Sequence, residues 1–209
     1  MPTLAYVEGA TTLGMALVAV LRFDTLQKDL KILSVFFIIT VASQATQLYL
    51  ALHHTNNMFM FHYYTLLEYF AIMMVISMWQ RTSIMQQVFR WSIVLYTIVW
   101  LFAETKFESP EAFDNFTSSF SSLLFLAASS YTLFTVIDDN KGSLFRNPKF
   151  WILSAILMYY AGSLVFFALS NAILFYTRPE IVFAWSLHWG IGILANVFYA
   201  SGYLCRDLR

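Results

Sequence analysis

Seven apolar runs constrain the fold of this chain more than any other feature: Leu4–Leu21, Ile32–Leu52, Met58–Trp79, Val88–Ala103, Phe116–Ile137, Phe150–Tyr176 and Ile181–Cys205. A helix needs about 20 largely apolar residues to cross the hydrocarbon of a bilayer. A membrane-spanning strand needs about ten and alternates polar with apolar positions. These runs are too long for strands and do not alternate, so strands are excluded. The fourth run is the shortest and carries Arg90 near its start, a side chain long enough to snorkel to an interface. The expected fold is all-α: a polytopic membrane protein, a seven-transmembrane-helix bundle, built as a single membrane domain over residues 1–209.

Charge orients these spans. With seven crossings, Arg22, Lys28, Lys31, Arg81, Arg90, Lys141, Arg146, Lys149, Arg206 and Arg209 fall on one side, and only Lys106 and Arg178 on the other. Basic residues accumulate in cytoplasmic loops, which predicts the N-terminus outside and the C-terminus inside. Dropping the fourth span would divide the basic residues seven to five, so parity favours keeping it. The chain is 59% hydrophobic and 11% charged, against about 25% charged in soluble domains, so the bilayer is its expected surroundings. Its zero formal net charge gives no reason to expect a nucleic-acid partner. Met1 to Gly9 lacks a basic segment and carries Glu8, so the first span is expected to stay in the mature protein.

Boundary chemistry agrees. Asn147-Pro148 supplies a capping residue and a proline at the start of span 6, and Thr177-Arg-Pro-Glu180 reads as a capping box opening span 7. No proline interrupts a span. Trp79, Trp91, Trp100 and Trp151 fall near expected interfaces, as aromatic belts do.

Ionisable side chains inside a membrane are costly and point to function. Glu8, Gln44, Gln47, His62, Asn171 and His188 fall in the outer half of their spans, with Glu68 near mid-membrane. At about 100° per residue, Trp185, His188, Trp189, Gly192, Asn196, Tyr199 and Tyr203 share a stripe on span 7. Thr40, Ser43, Gln44 and Gln47 share a face of span 2; His62, Tyr64, Thr65, Glu68 and Tyr69 fill one side of span 3. Lipid offers no hydrogen bonds, so these stripes should face inward, around one outward-opening polar cavity. Interhelical hydrogen bonding alone would also explain Gln44, Gln47, Asn171 and Asn196. The expected ligand site comprises Glu68, His188, Glu8, His62, Gln44, Gln47 and Asn171, with Trp185 and Trp189 as walls. Glu68 would act as hydrogen-bond donor or proton-linked anchor.

Three functional classes fit. A receptor-like sensor would bind a small molecule from outside and signal through a cytoplasmic or membrane partner. No span contains a lysine, which excludes a retinal Schiff base. An intramembrane hydrolase could draw zinc ligands from Glu8, His62, Glu68 and His188. The chain departs from the seven-helix hydrolases related to alkaline ceramidases and progestin receptors, because span 7 has one histidine and no span contains aspartate. A small-solute transporter could use spans 1–3 and 5–7 as a parallel repeat around span 4, although the Pro-Gln motif of SWEET and PQ-loop transporters is absent. His62-Tyr-Tyr-Thr-Leu-Leu-Glu68, Pro148-Lys-Phe-Trp151 and the Tyr159–Phe167 stretch resemble segments of small seven-span bacterial proteins, some similar to membrane input modules of sensor kinases. That resemblance implies a bacterial cytoplasmic membrane and leaves the activity open.

Overall fold

The computed structural model describes residues 3–139, 142–173 and 177–205; the side chains of Asn171, Ile173 and Arg178 also lie outside the described residues. It is all-helical, with α1 (Thr3–Leu21), α2 (Lys28–Leu52), α3 (Phe59–Met78), α4 (Ser83–Lys106), α5 (Asn115–Asp139), α6 (Pro148–Ile173) and α7 (Arg178–Leu204). Each is long and apolar enough to cross a membrane. The fourth helix is longer than its apolar run because Thr82 caps it, its hydroxyl accepting from the Met85 N–H, while Arg90 is exposed. Asn147 Oδ1 accepts from the Lys149 N–H at the start of α6, and the Glu180 carboxylate accepts from the Thr177 N–H and hydroxyl at the start of α7. Large apolar side chains such as Ile84, Phe134, Val165 and Phe183 are exposed on the outer surface, which suits lipid better than water.

Six helices close a ring in the order α1, α2, α3, α5, α6, α7, with α7 packing back on α1. The remaining helix, α4, lies outside the ring, against α3 and more lightly against α5. Consequently α3 is buried on two sides. Tyr69 stacks on Tyr96 of α4 with ring centroids 3.9 Å apart and leans on Phe125 of α5 at 5.2 Å. Phe125 in turn meets Tyr160 of α6 at 4.4 Å. Between α6 and α7 close approach depends on glycine. A Cβ at Gly162 would lie 2.7 Å from Ile191 Cδ1, and one at Gly202 would lie 2.9 Å from Ile152 Cγ1.

Alternating helix direction sorts the charges between two ends. One end carries Arg22, Lys28, Lys31, Arg81, Arg146 and Lys149 with Asp24, Asp29, Asp138 and Asp139; the other carries Glu104, Glu108, Glu111, Asp114 and Glu180 with Lys106. Lys141, Arg206 and Arg209 lie outside the described residues. At the basic end Arg22 donates to the carbonyls of Tyr203 and Cys205, the latter at 3.0 Å, tying α1 to the C-terminus of α7. Arg81 pairs with Asp138 and Asp139 on the surface.

Two of the four tryptophans expected at interfaces are buried between helices. The Trp79 indole donates to the Asp29 carboxylate, and Trp100 Nε1 donates to the His62 carbonyl at 3.1 Å. Both sit between helices near a bundle end, where burying the indole while satisfying its N–H ties two segments together. Trp91 is exposed.

Candidate functional site

The α3 helix divides the polar residues between two places. Setting His62 at zero, about 100° per residue puts Thr65 and Tyr69 within about 60° of it and puts Tyr64 and Glu68 at about 200° and 240°. The first group faces α4, α5 and their connection, whereas the second faces the interior of the ring. One continuous polar side of span 3, as expected from sequence, is therefore two.

The interior face opens on a cavity of about 70 Å³ lined by all the ring helices except α5. Its carboxylates are Glu8 and Glu68; its other polar walls include Thr12, Thr40, Gln44 and Asn196, with Tyr64, Tyr159, Tyr160 and Tyr199 around them. Glu8 Oε1 accepts from the Thr12 hydroxyl at 3.0 Å and from the Gln44 amide at 3.4 Å. Asn196 of α7 donates to the hydroxyls of Thr11 and Thr12 at 3.1 and 2.9 Å, completing the α1–α7 seam. Gly192 gives Glu8 its room, since a Cβ there would stand 3.2 Å from Glu8 Cγ. Glu68 lies within reach of the Tyr160 and Tyr64 hydroxyls. The Tyr64 hydroxyl bonds Thr40 at 3.0 Å and latches α3 to α2. Behind that latch an apolar groove of about 240 Å³ runs between α2 and α3, lined by Ile39, Phe59, Tyr63 and Leu67.

This polar cavity is large enough to hold water. No Lys, Arg or His lines it among the described residues. Its chemistry is that of a small acidic, hydroxyl-rich chamber, able to hold a small cation or a cluster of hydrogen-bond donors.

Other residues expected at one site lie elsewhere. His188 is half-buried against α6; its Nδ1 is 3.1 Å from Ser163 Oγ and its ring stacks on Phe166 at 4.6 Å. Trp185 packs on Phe166 and Phe113, and Trp189 on Trp185. These three form an α6–α7 aromatic seam, which meets the cavity wall at Tyr159, 5.7 Å from His188. The one-turn spacing that aligned them with Gly192 on the α7 stripe takes them toward α6, past the end of the chamber. Gln47 bonds Ser43 at 3.2 Å, and its carbonyl accepts from Asn57, so it holds the α2–α3 turn. The Asn171 side chain lies outside the described residues. Glu8, His62, Glu68 and His188 therefore do not converge as one zinc set.

His62 belongs to the second place, at the acid-rich end. It is buried, with Nδ1 2.5 Å from Glu104 Oε1 and Nε2 3.0 Å from the Ala112 carbonyl. Beneath it the Asp114 carboxylate accepts from the Thr65 hydroxyl at 2.5 Å and the Ser118 hydroxyl at 2.8 Å. Burial pushes the Asp114 carboxyl above its ordinary range, partly offset by those two hydroxyls. Glu108 caps α5, accepting from the Phe116 N–H and the Thr117 hydroxyl, both at 2.8 Å. Sequence reasoning missed Glu104, Glu108 and Asp114, which read as ordinary polar residues beyond the fourth span. The signal available was two glutamates four residues apart at a helix end, on the side where His62 emerges.

No known protein family, curated protein or solved structure matches the chain.

Proposed function

We propose that this chain is a multi-pass membrane protein that recognises a small cationic or hydrogen-bond-donating solute in the Glu8–Glu68 chamber. The observation that carries this reading is the pairing of two carboxylates with four tyrosines in a cavity that no basic side chain lines among the described residues. Unpaired carboxylates away from bulk water are costly, and a cation or donor repays that cost when it binds. Tyrosine faces add cation–π attraction. The chamber's size favours an ammonium-sized solute over a drug-sized one, whose sites span about 300–1,000 Å³.

In this reading the acid-rich end faces outside and the basic end the cytoplasm, following the distribution of Lys and Arg. The resemblance to small bacterial seven-span proteins favours a cytoplasmic-membrane location; the receptor-like role rests on the chamber, with output through a partner at the basic end. The test is calorimetric titration of the full chain in nanodiscs with ammonium and methylammonium salts. Saturable binding that Glu68→Gln weakens by at least about 10-fold is expected, the scale of one hydrogen bond to a charged group. Failure of the wild-type chain to bind, or equal binding by Glu68→Gln, would overturn the assignment.

Small-solute transport is the second reading, favoured by ring order. Three consecutive helices form each half, the halves meet through α3 with α5 and α7 with α1, and α4 stands outside as a connector would. Counterflow in proteoliposomes separates the two readings: exchange of labelled solute supports transport, and binding without exchange supports sensing.

A further inference from the structure

We propose that His62, Glu104 and Glu108 form a zinc site at the acid-rich end of the bundle, separate from the chamber. Three points in the chain supply its ligands: the first turn of α3, the last turn of α4, and the residue after Phe107. One donor atom from each lies within 4.8 Å of the others. Around a tetrahedral zinc with bonds of about 2.1 Å, neighbouring ligand atoms stand about 3.4 Å apart, so rotamer adjustments of about 1 Å close the set.

The imidazole is oriented for this task. Nε2 faces the Ala112 carbonyl at 3.0 Å, an acceptor, so Nε2 carries a proton. In a neutral ring Nδ1 then presents a lone pair, and what it faces is another acceptor, Glu104 Oε1. Two lone pairs meeting there must share a proton or a metal ion; at 2.5 Å it is a proton, which zinc would displace as the pair opens. Metal-bound histidines have this arrangement, with the far N–H held by a carbonyl and the near nitrogen aimed at the ion.

Charge balance distinguishes a metal from a proton. Glu104, Glu108 and the buried Asp114 surround one imidazole, and among the described residues no Lys or Arg pairs with any of them. A proton on His62 leaves two negative charges uncompensated in this partly buried place; a divalent cation beside a neutral ring leaves one. Glu108 is pre-positioned by the Phe116 and Thr117 N–H groups on Oε1 and by the Thr117 hydroxyl on Oε2, and Oε2 retains a free lone pair. One nitrogen and two carboxylate oxygens with a fourth position open to water suit zinc. Bound there, zinc would clamp the 107–114 connection onto α3 and α4.

The test uses the full chain in nanodiscs, stripped with chelator, dialysed against zinc and assayed by elemental analysis and calorimetry. One zinc per chain is expected. Glu104→Gln and Glu108→Gln, which keep side-chain shape and hydrogen-bonding capacity, should each weaken it by about 100-fold or more, beyond the loss typical of outer-shell partners. Their unfolding midpoints without zinc report folding separately from ligand loss. A His53→Ala/His54→Ala chain, altered on the exposed α2–α3 turn, should bind as the wild type does. Substoichiometric zinc in the wild type, binding unaffected by both glutamine substitutions, or loss of binding in the His53/His54 variant would each overturn the proposal.

Discussion

Two polar regions flank α3, and they differ in how much empty space surrounds them. On the side toward α4 and α5, His62, Thr65 and Tyr69 meet named partners at close range, and the packing around them is dense. On the side toward the ring interior, Tyr64 and Glu68 face a chamber of about 70 Å³. The difference shows what α4 does. By standing outside the ring it closes one face of α3 into a structural seam, while the opposite face has no helix to fill it. Satisfied, closely packed polar groups rigidify a fold; a polar chamber with space left over can take water or a ligand.

Substitutions on the two faces should therefore read out differently. The largest expected loss of stability is for Tyr69→Ala, which removes a fully buried ring stacked on Tyr96 and Phe125; about 3–5 kcal/mol is expected in reversible unfolding in mixed micelles. A loss below about 1 kcal/mol would mean that the α4 face is not the closed seam described. His62→Ala should cost about 2–3 kcal/mol, less than for a fully buried pair because Glu104 keeps some water contact. The same unfolding assay measures it.

Gly192→Ala brings a methyl group against Glu8 at 3.2 Å and should destabilise by about 1 kcal/mol. It should also weaken solute binding in calorimetry, because Glu8 has to shift. Asp114 supplies a pH test of the closed side. Its carboxyl is raised by burial, so the folded chain holds that proton more tightly than the unfolded chain does. Stability should then be greatest below the ordinary carboxylate range and fall as pH rises through the raised value. Asp114→Asn should flatten that dependence in midpoints measured from acid to neutral pH. The smallest stability effect belongs to Glu68→Gln, expected within about 0.5 kcal/mol of wild type because glutamine keeps the side-chain shape and an acceptor for the Tyr160 and Tyr64 hydroxyls. A large loss there would make Glu68 part of the scaffold and erase the contrast between the faces.

Much of this was legible in the sequence. All seven helices, the Asn147 and Thr177 caps and the exposure of Arg90 follow from local rules: apolar length, capping chemistry and charge. Glu8, Gln44 and Glu68 were also read as polar residues facing inward, and they do line one chamber. Gathering them with His62 and His188 was not justified by spacing. A face about 100° wide and a face nearer 180° wide look alike on a wheel when neighbouring helices are unknown. His62 and Glu68 lie about 120° apart around α3, yet both lie off its lipid-facing side, because α3 has helices on both flanks. Glu104 and Glu108 gave no sequence signal strong enough to rank above other loop carboxylates. Their importance depends on His62, which is 42 residues from Glu104.

Sequence alone therefore determined the elements and the segregation of basic residues, because hydropathy, helix length and capping act within a few turns of chain. Tertiary structure decided which helices neighbour one another, that α4 stands outside the ring, and that the polar residues occupy separate places. Those outcomes depend on side-chain packing between distant segments, such as Tyr69 on Tyr96 and Gly192 against Glu8, and no local pattern encodes a partner's position.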